Sequence, residues 1–181
     1  MPTYSRFILT TLALVLSLPG QAEQPDVLAS DPIVATVVQD LILPGFDHLA
    51  QRSAALAATA DQNCTPEDLQ LRQAYGSAFD AWIAVSHFRF GPTETNNRAF
   101  ARNRTPKALA KLLREVDPAQ LTPRSYRDSS IAAQGFYALE FLLYDPAYQA
   151  PANRACALIR ANSQELARIT SLIAQGWQQH A

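Results

Sequence analysis

Gly135-Phe136-Tyr137-Ala138-Leu139-Glu140-Phe141-Leu142-Leu143-Tyr144-Asp145 is the most apolar stretch downstream of the N-terminal leader, and it holds a carboxylate in its middle. Around a 3.6-residue helix, Ala132, Ala133, Phe136, Leu139, Phe141, Leu142 and Leu143 fall on nearly every side. That is the pattern of a helix buried in a larger bundle. At the same spacing Ala133, Tyr137, Glu140 and Tyr144 form one stripe. A carboxylate inside an apolar helix is costly unless it is paired or hydrogen-bonded. The sequence therefore predicts that Glu140 is buried and faces a phenol, an arginine, a histidine or a metal.

Outward from this stretch the periodicity is helical throughout. Asp31 caps a first helix with Pro32 in its first turn. Its stripe Ile33, Val37, Val38, Leu41 and Ile42 continues through Phe46, Leu49 and Leu56 to an end near Ala60, and Pro44 with Gly45 is expected to kink or split it. Thr65-Pro66-Glu67-Asp68 starts a second helix. Leu71, Tyr75, Ala78, Phe79, Trp82, Ile83, Ser86 and Phe90 form its apolar face, and Gly91-Pro92 stops it. Thr93 to Arg104 reads as a polar loop of the kind that often carries function. Thr105-Pro106 opens a third helix through Val116, and Pro118 and Pro123 bracket a linker. A fourth helix is expected from about Asp128 to Tyr144. Pro146 and Pro151 precede a last one, from Asn153 to about Gln179, with Cys156, Ile159, Leu166, Ile169, Ile173 and Trp177 facing inward. No stretch alternates with period two, so the fold class is all-α, an antiparallel bundle of about five helices.

The 181 residues suit one domain that can bury a substantial core. Residues 1–22 read as a secretory signal: Arg6 gives the positive start, Phe7 to Leu18 the apolar run, and Gly20 and Ala22 the small residues before a cut. The run is short of the roughly 20 residues a membrane span needs, so the mature domain, 23–181, is read as lacking a transmembrane segment. No cysteine follows the signal, so a lipoprotein anchor is not indicated. The expected address is periplasmic or secreted. Without the signal, 14 basic side chains face 16 acidic ones. The arginines are scattered and the two lysines, Lys107 and Lys111, share one helix face. A nucleic-acid binder would need a basic stripe. Two cysteines in an exported chain, Cys64 and Cys156, predict a disulfide, and closing a loop of roughly 90 residues would disfavour the unfolded chain by about 4–5 kcal/mol.

Gly135-x-Tyr137-x-x-Glu140 followed by Phe-Leu-Leu resembles the Gly-x-His-x-x-Glu signature of the imelysin family, which includes insulin-cleaving membrane protease and iron-regulated envelope proteins. The helix carrying Trp82 and running into Phe88-Arg89-Phe90-Gly91-Pro92, the early Val38 to Pro44 segment and the export signal fit the same family. Its members are generally longer, with a second helical half, and this chain resembles the first. The family's histidine position is Tyr137 here. Imidazole and carboxylate three apart on one helix face can reach one metal ion, so the resemblance implies a divalent metal or iron near Glu140. A phenol, which ordinarily ionises only near pH 10 (roughly), suits a hydrogen bond to Glu140 better than a metal.

Two further residues are candidates for meeting Glu140. His87, near the end of the second helix, is either a helix-end residue favoured by the dipole or a ligand. Arg89 would hold a buried carboxylate ionised. His48 and His180 read as surface residues. The chain has no His-Glu-x-x-His, Gly-x-Ser-x-Gly or phosphate-cradling loop. Two functions stay open. One is a non-catalytic binder of an unidentified protein or small ligand of the cell envelope, for which the resemblance implies a part in iron uptake, with a second copy of the chain a candidate for covering a face. The other is a metallopeptidase with a degenerate signature.

Overall fold

The computed structural model describes residues 32–95, 106–129 and 131–179. The expected signal peptide, the Asp31 and Thr105 caps, most of the polar loop and His180 lie outside these residues. The described residues form helices and no strand. We label the helices α1 (Pro32–Gln62), α2 (Leu69–Val85), α3 (Pro92–Thr95), α4 (Pro106–Glu115), α5 (Pro123–Arg127), α6 (Phe136–Tyr144) and α7 (Ala152–Gln179).

Pro44 neither breaks nor splits α1. The helix widens into a π turn over Val38–Ile42 and then continues. Proline has no N–H to give and its ring crowds the carbonyl four residues back, and a widened turn is one way in which a helix absorbs such a misfit. Gly45 is required where it stands, because a Cβ there would lie 2.7 Å from a Val85 methyl. By length and composition alone α1 could cross a membrane. What assigns it to the bundle is its buried stripe of Ile42, Phe46, Leu49, Leu56 and Ala60, packed on α2 and α7.

α1 and α7 run antiparallel along most of their length. Phe46 stacks on Trp177 (5.9 Å) at one end, and Arg160 donates to the Ala60 carbonyl (3.2 Å) near the other. At that second end the predicted disulfide joins Cys64 to Cys156 across 92 residues. Gly91-Pro92 does more than stop a helix. Gly91 takes φ 56° against the Trp177 ring, a conformation glycine adopts at little cost, and the Trp177 indole N–H donates to Thr93 Oγ1 (3.0 Å).

Two expected helices come out differently. α2 starts at Leu69, where the Asp68 carboxylate caps Leu71 N–H (2.7 Å), and it ends at Val85 rather than running to Gly91. Ser86 to Phe90 therefore leave the helical path, and Phe90 is half exposed. The segment expected as one helix from Asp128 to Tyr144 is instead a 3-10 turn at Ile131–Ala133 and the nine-residue α6, and the short Thr122-capped α5 forms just before it, at the end of the expected linker. The break falls at Gly135. Gly135 sits at φ 93°, ψ −174°, a region essentially closed to other residues.

Candidate functional site

Gly135 is where the site begins. Its N–H donates to Asn162 Oδ1 and its carbonyl accepts from Asn162 Nδ2, both at 2.9 Å. The Asn162 side chain is fully buried on α7, so this two-point clamp fixes where α6 starts and which way it points. The turn before it is held as firmly. The Gln134 amide donates to the Tyr126 carbonyl (2.8 Å), and the Tyr126 hydroxyl donates to the Ala133 carbonyl (3.2 Å). One turn along α7 from Asn162 lies Glu165, only 3% exposed and bound by both oxygens to Arg168 at 2.6 and 2.8 Å. Burial, with the Glu165 charge nearby, pushes the Tyr126 hydroxyl well above the ordinary phenol range. The Glu165 carboxylate holds the Arg168 guanidinium above its own usual range.

Launched from this anchor, α6 turns its apolar faces inward and its polar stripe outward. Tyr137 is half-buried, while Glu140 and Tyr144 are exposed. The expectation of a buried Glu140 is thus corrected. α6 is flanked by α2, α4 and α7 but leaves one edge open, and Tyr137, Glu140 and Tyr144 occupy that edge. Ala133, expected on the same stripe, belongs to the preceding 3-10 turn.

The open edge is bordered by aromatic side chains of α2. The Tyr137 ring meets Phe79 (6.1 Å) and Trp82 (5.6 Å) edge to face. Tyr144 lies 6.0 Å from Tyr75, and the Arg72 guanidinium sits 4.8 Å over the Tyr144 ring. Arg72 also donates to the carbonyls of Pro66 (2.7 Å) and Leu143 (2.8 Å). Tyr75, buried beneath, gives its hydroxyl proton to the Phe136 carbonyl (3.3 Å). Burial, and then the neighbouring Glu140, push its phenol far above the ordinary value.

His87 and Arg89 are not brought to Glu140. The His87 ring is exposed and packs on Phe88 at 4.0 Å. Arg89, also exposed, pairs with Glu94 at 3.5 Å, an interaction of the exposed kind that contributes little. Both lie beyond the end of α2. Glu140 makes no ion pair among the described residues. Nor do three His, Cys, Asp or Glu side chains converge anywhere among them. With one exposed carboxylate, and a phenol engaged with aromatic rings, the donors here do not fit a resident divalent metal or iron. Sequence reasoning gives no site role to Tyr75, Asn162 or Glu165. The available signal was the spacing of Asn162 and Glu165, which fall in register with the apolar stripe Ile159, Leu166 and Ile169 of α7.

Residues 42–181 match the peptidase-family model described as Imelysin. Among solved structures, an imelysin-like protein from Psychrobacter arcticum 273-4 superposes with a TM-score of 0.66 at 23% identity, over 80% of this chain and 48% of that one. The chain thus spans about half the length of that protein. Among curated proteins none matches.

Proposed function

The chain belongs to the imelysin family, and from that premise we propose that it is an exported, non-catalytic binding protein whose ligand face is the open edge of α6 with the aromatic border of α2. One observation carries the reading: the carboxylate of the family-like motif, Glu140, is exposed and without an ion-pair partner among the described residues, at the rim of a cluster of aromatic rings. A hydrolytic metal site holds three protein ligands and keeps one position open. Here the first ligand position is the Tyr137 phenol, whose ring is packed on Phe79 and Trp82. Export to the periplasm is supported by the charge and apolar pattern of residues 1–22 and by the Cys64–Cys156 disulfide, a bond at home in an oxidising compartment. A role in iron uptake is what the family resemblance adds.

Metal content and peptide cleavage test this together. The purified protein should carry no stoichiometric zinc or iron and leave a casein substrate intact. Stoichiometric metal that disappears in Glu140→Gln along with a cleaving activity would overturn the proposal in favour of a peptidase.

A further inference from the structure

Gly76 stands in the middle of α2 without a packing reason for being glycine. Gly45 and Gly176 are each pressed against a neighbour, but a Cβ at position 76 would meet nothing within 4 Å. Glycine is a poor helix former, so an open position of this kind gains nothing for the helix itself.

Its place in the fold is more informative. Helical spacing puts Arg72, Gly76, Phe79 and Ile83 on one face of α2, and Tyr144, Glu140 and Tyr137 on the outer edge of α6. Contacts at both ends fix the register of the two stripes: Arg72 covers the Tyr144 ring, and Phe79 meets Tyr137. Gly76 is therefore level with Glu140. Between the two helices this leaves a notch with aromatic rings at its ends, a carboxylate on one side and bare backbone on the other.

A carboxylate beside aromatic rings attracts a cation twice over, through its charge and through the ring quadrupoles. Arg72 does not occupy the notch: it lies over the Tyr144 ring at the far end, held by the Pro66 and Leu143 carbonyls, and forms no ion pair with Glu140. A single carboxylate is poor provision for a divalent ion. An organic ammonium suits it better, since the alkyl stem behind the charge can lie along the rings. Beyond the notch the shelf continues in apolar side chains at both ends, Leu69 at 73% and Ile83 at 50% exposure, as contact surface for residues flanking such a charge on a chain. We propose that the Gly76–Glu140 notch takes the ammonium end of a lysine side chain presented by a polypeptide partner. This deepens the binding reading above and rests on it.

The test uses the whole protein and a defined probe, the peptide acetyl-Leu-Lys-Leu-amide, followed by amide chemical shifts in a titration and by the mass of the recovered peptide. Saturable shifts should centre on Gly76, Tyr137 and Glu140. Replacing the probe's lysine by norleucine should weaken binding by about tenfold or more, and Glu140→Gln should do the same. Gly76→Leu should fold at least as well, because a Cβ at position 76 meets nothing within 4 Å and glycine leaves a helix interior, yet it should abolish binding because the rest of the side chain fills the notch. Circular dichroism checks its fold. Equal binding of the norleucine peptide, undiminished binding to a folded Gly76→Leu protein, or an intact peptide that does not bind overturns the lysine inference alone. A peptide recovered cleaved overturns the non-catalytic reading beneath it as well.

Discussion

Glu165 and Glu140 are carboxylates on neighbouring helices, three residues from Asn162 and five from Gly135 in the clamp respectively, and the bundle treats them in opposite ways. Glu165 is taken out of water and held through both oxygens by Arg168. Glu140 is left at the surface with no ion pair among the described residues. A carboxylate amid apolar residues thus has two explanations, a paired interior charge or an edge left open. Neighbouring helices, not the helix's own composition, decide between them. Within α6 the apolar residues fill the faces toward α2, α4 and α7, and only the Tyr137, Glu140 and Tyr144 stripe escapes cover.

The sharpest way to break the contrast is to remove the core element beneath the open edge. Trp82 stacks on Phe136 (5.4 Å) at the start of α6 and meets Phe79 and Tyr137 at the shelf. Trp82→Ala should lower stability by about 3–5 kcal/mol, measured by urea unfolding. A loss below about 1 kcal/mol would mean that the ring contributes little packing. Next in size is Arg168→Ala, which strands the Glu165 charge in the interior. Breaking a buried pair from one side costs about 3 kcal/mol or more, and a fully wild-type melting curve would show that Glu165 has no need of its partner. Third is Gly135→Ala. The residue at φ 93° would be forced into a strained backbone, at a cost of about 2 kcal/mol, and α6 would lose its aim, so binding at the shelf should fall together with stability.

Much of the bundle can be read from periodicity. Most of the stripes of α1, α2 and α7, the all-α class and the Cys64–Cys156 pairing follow from spacing and composition, while Ile33, Leu41 and Ile83 of those stripes are exposed. What spacing cannot give is where backbone geometry overrides pattern. Residues 128–144 scan as one apolar helix, yet Gly135 breaks it, because a side-chain amide from α7 satisfies both of its backbone groups. No local signal announces a clamp from 27 residues away. The same limit explains why Glu140 is expected inside and found outside. Seven apolar residues around a helix predict burial on average, but which edge stays open depends on how many helices pack against it. Periodicity carries His87 and Arg89 along a long α2, and once that helix ends at Val85 their direction no longer follows from its period.

The smallest expected effect is the most discriminating. Glu140→Gln replaces a charge with an isosteric amide on an exposed edge, where substitutions away from buried networks stay within about 0.5 kcal/mol. If Glu140 is a binding group and not a structural one, the variant should melt with the wild type while losing affinity for a lysine-bearing peptide. Arg168→Ala should do the reverse, weakening the fold with the shelf's own side chains untouched. Measured side by side, the two variants separate function from stability on adjacent helices. A Glu140→Gln protein destabilised by about 2 kcal/mol or more would place that carboxylate among the interior pairs instead, and the distinction between the two glutamates would collapse.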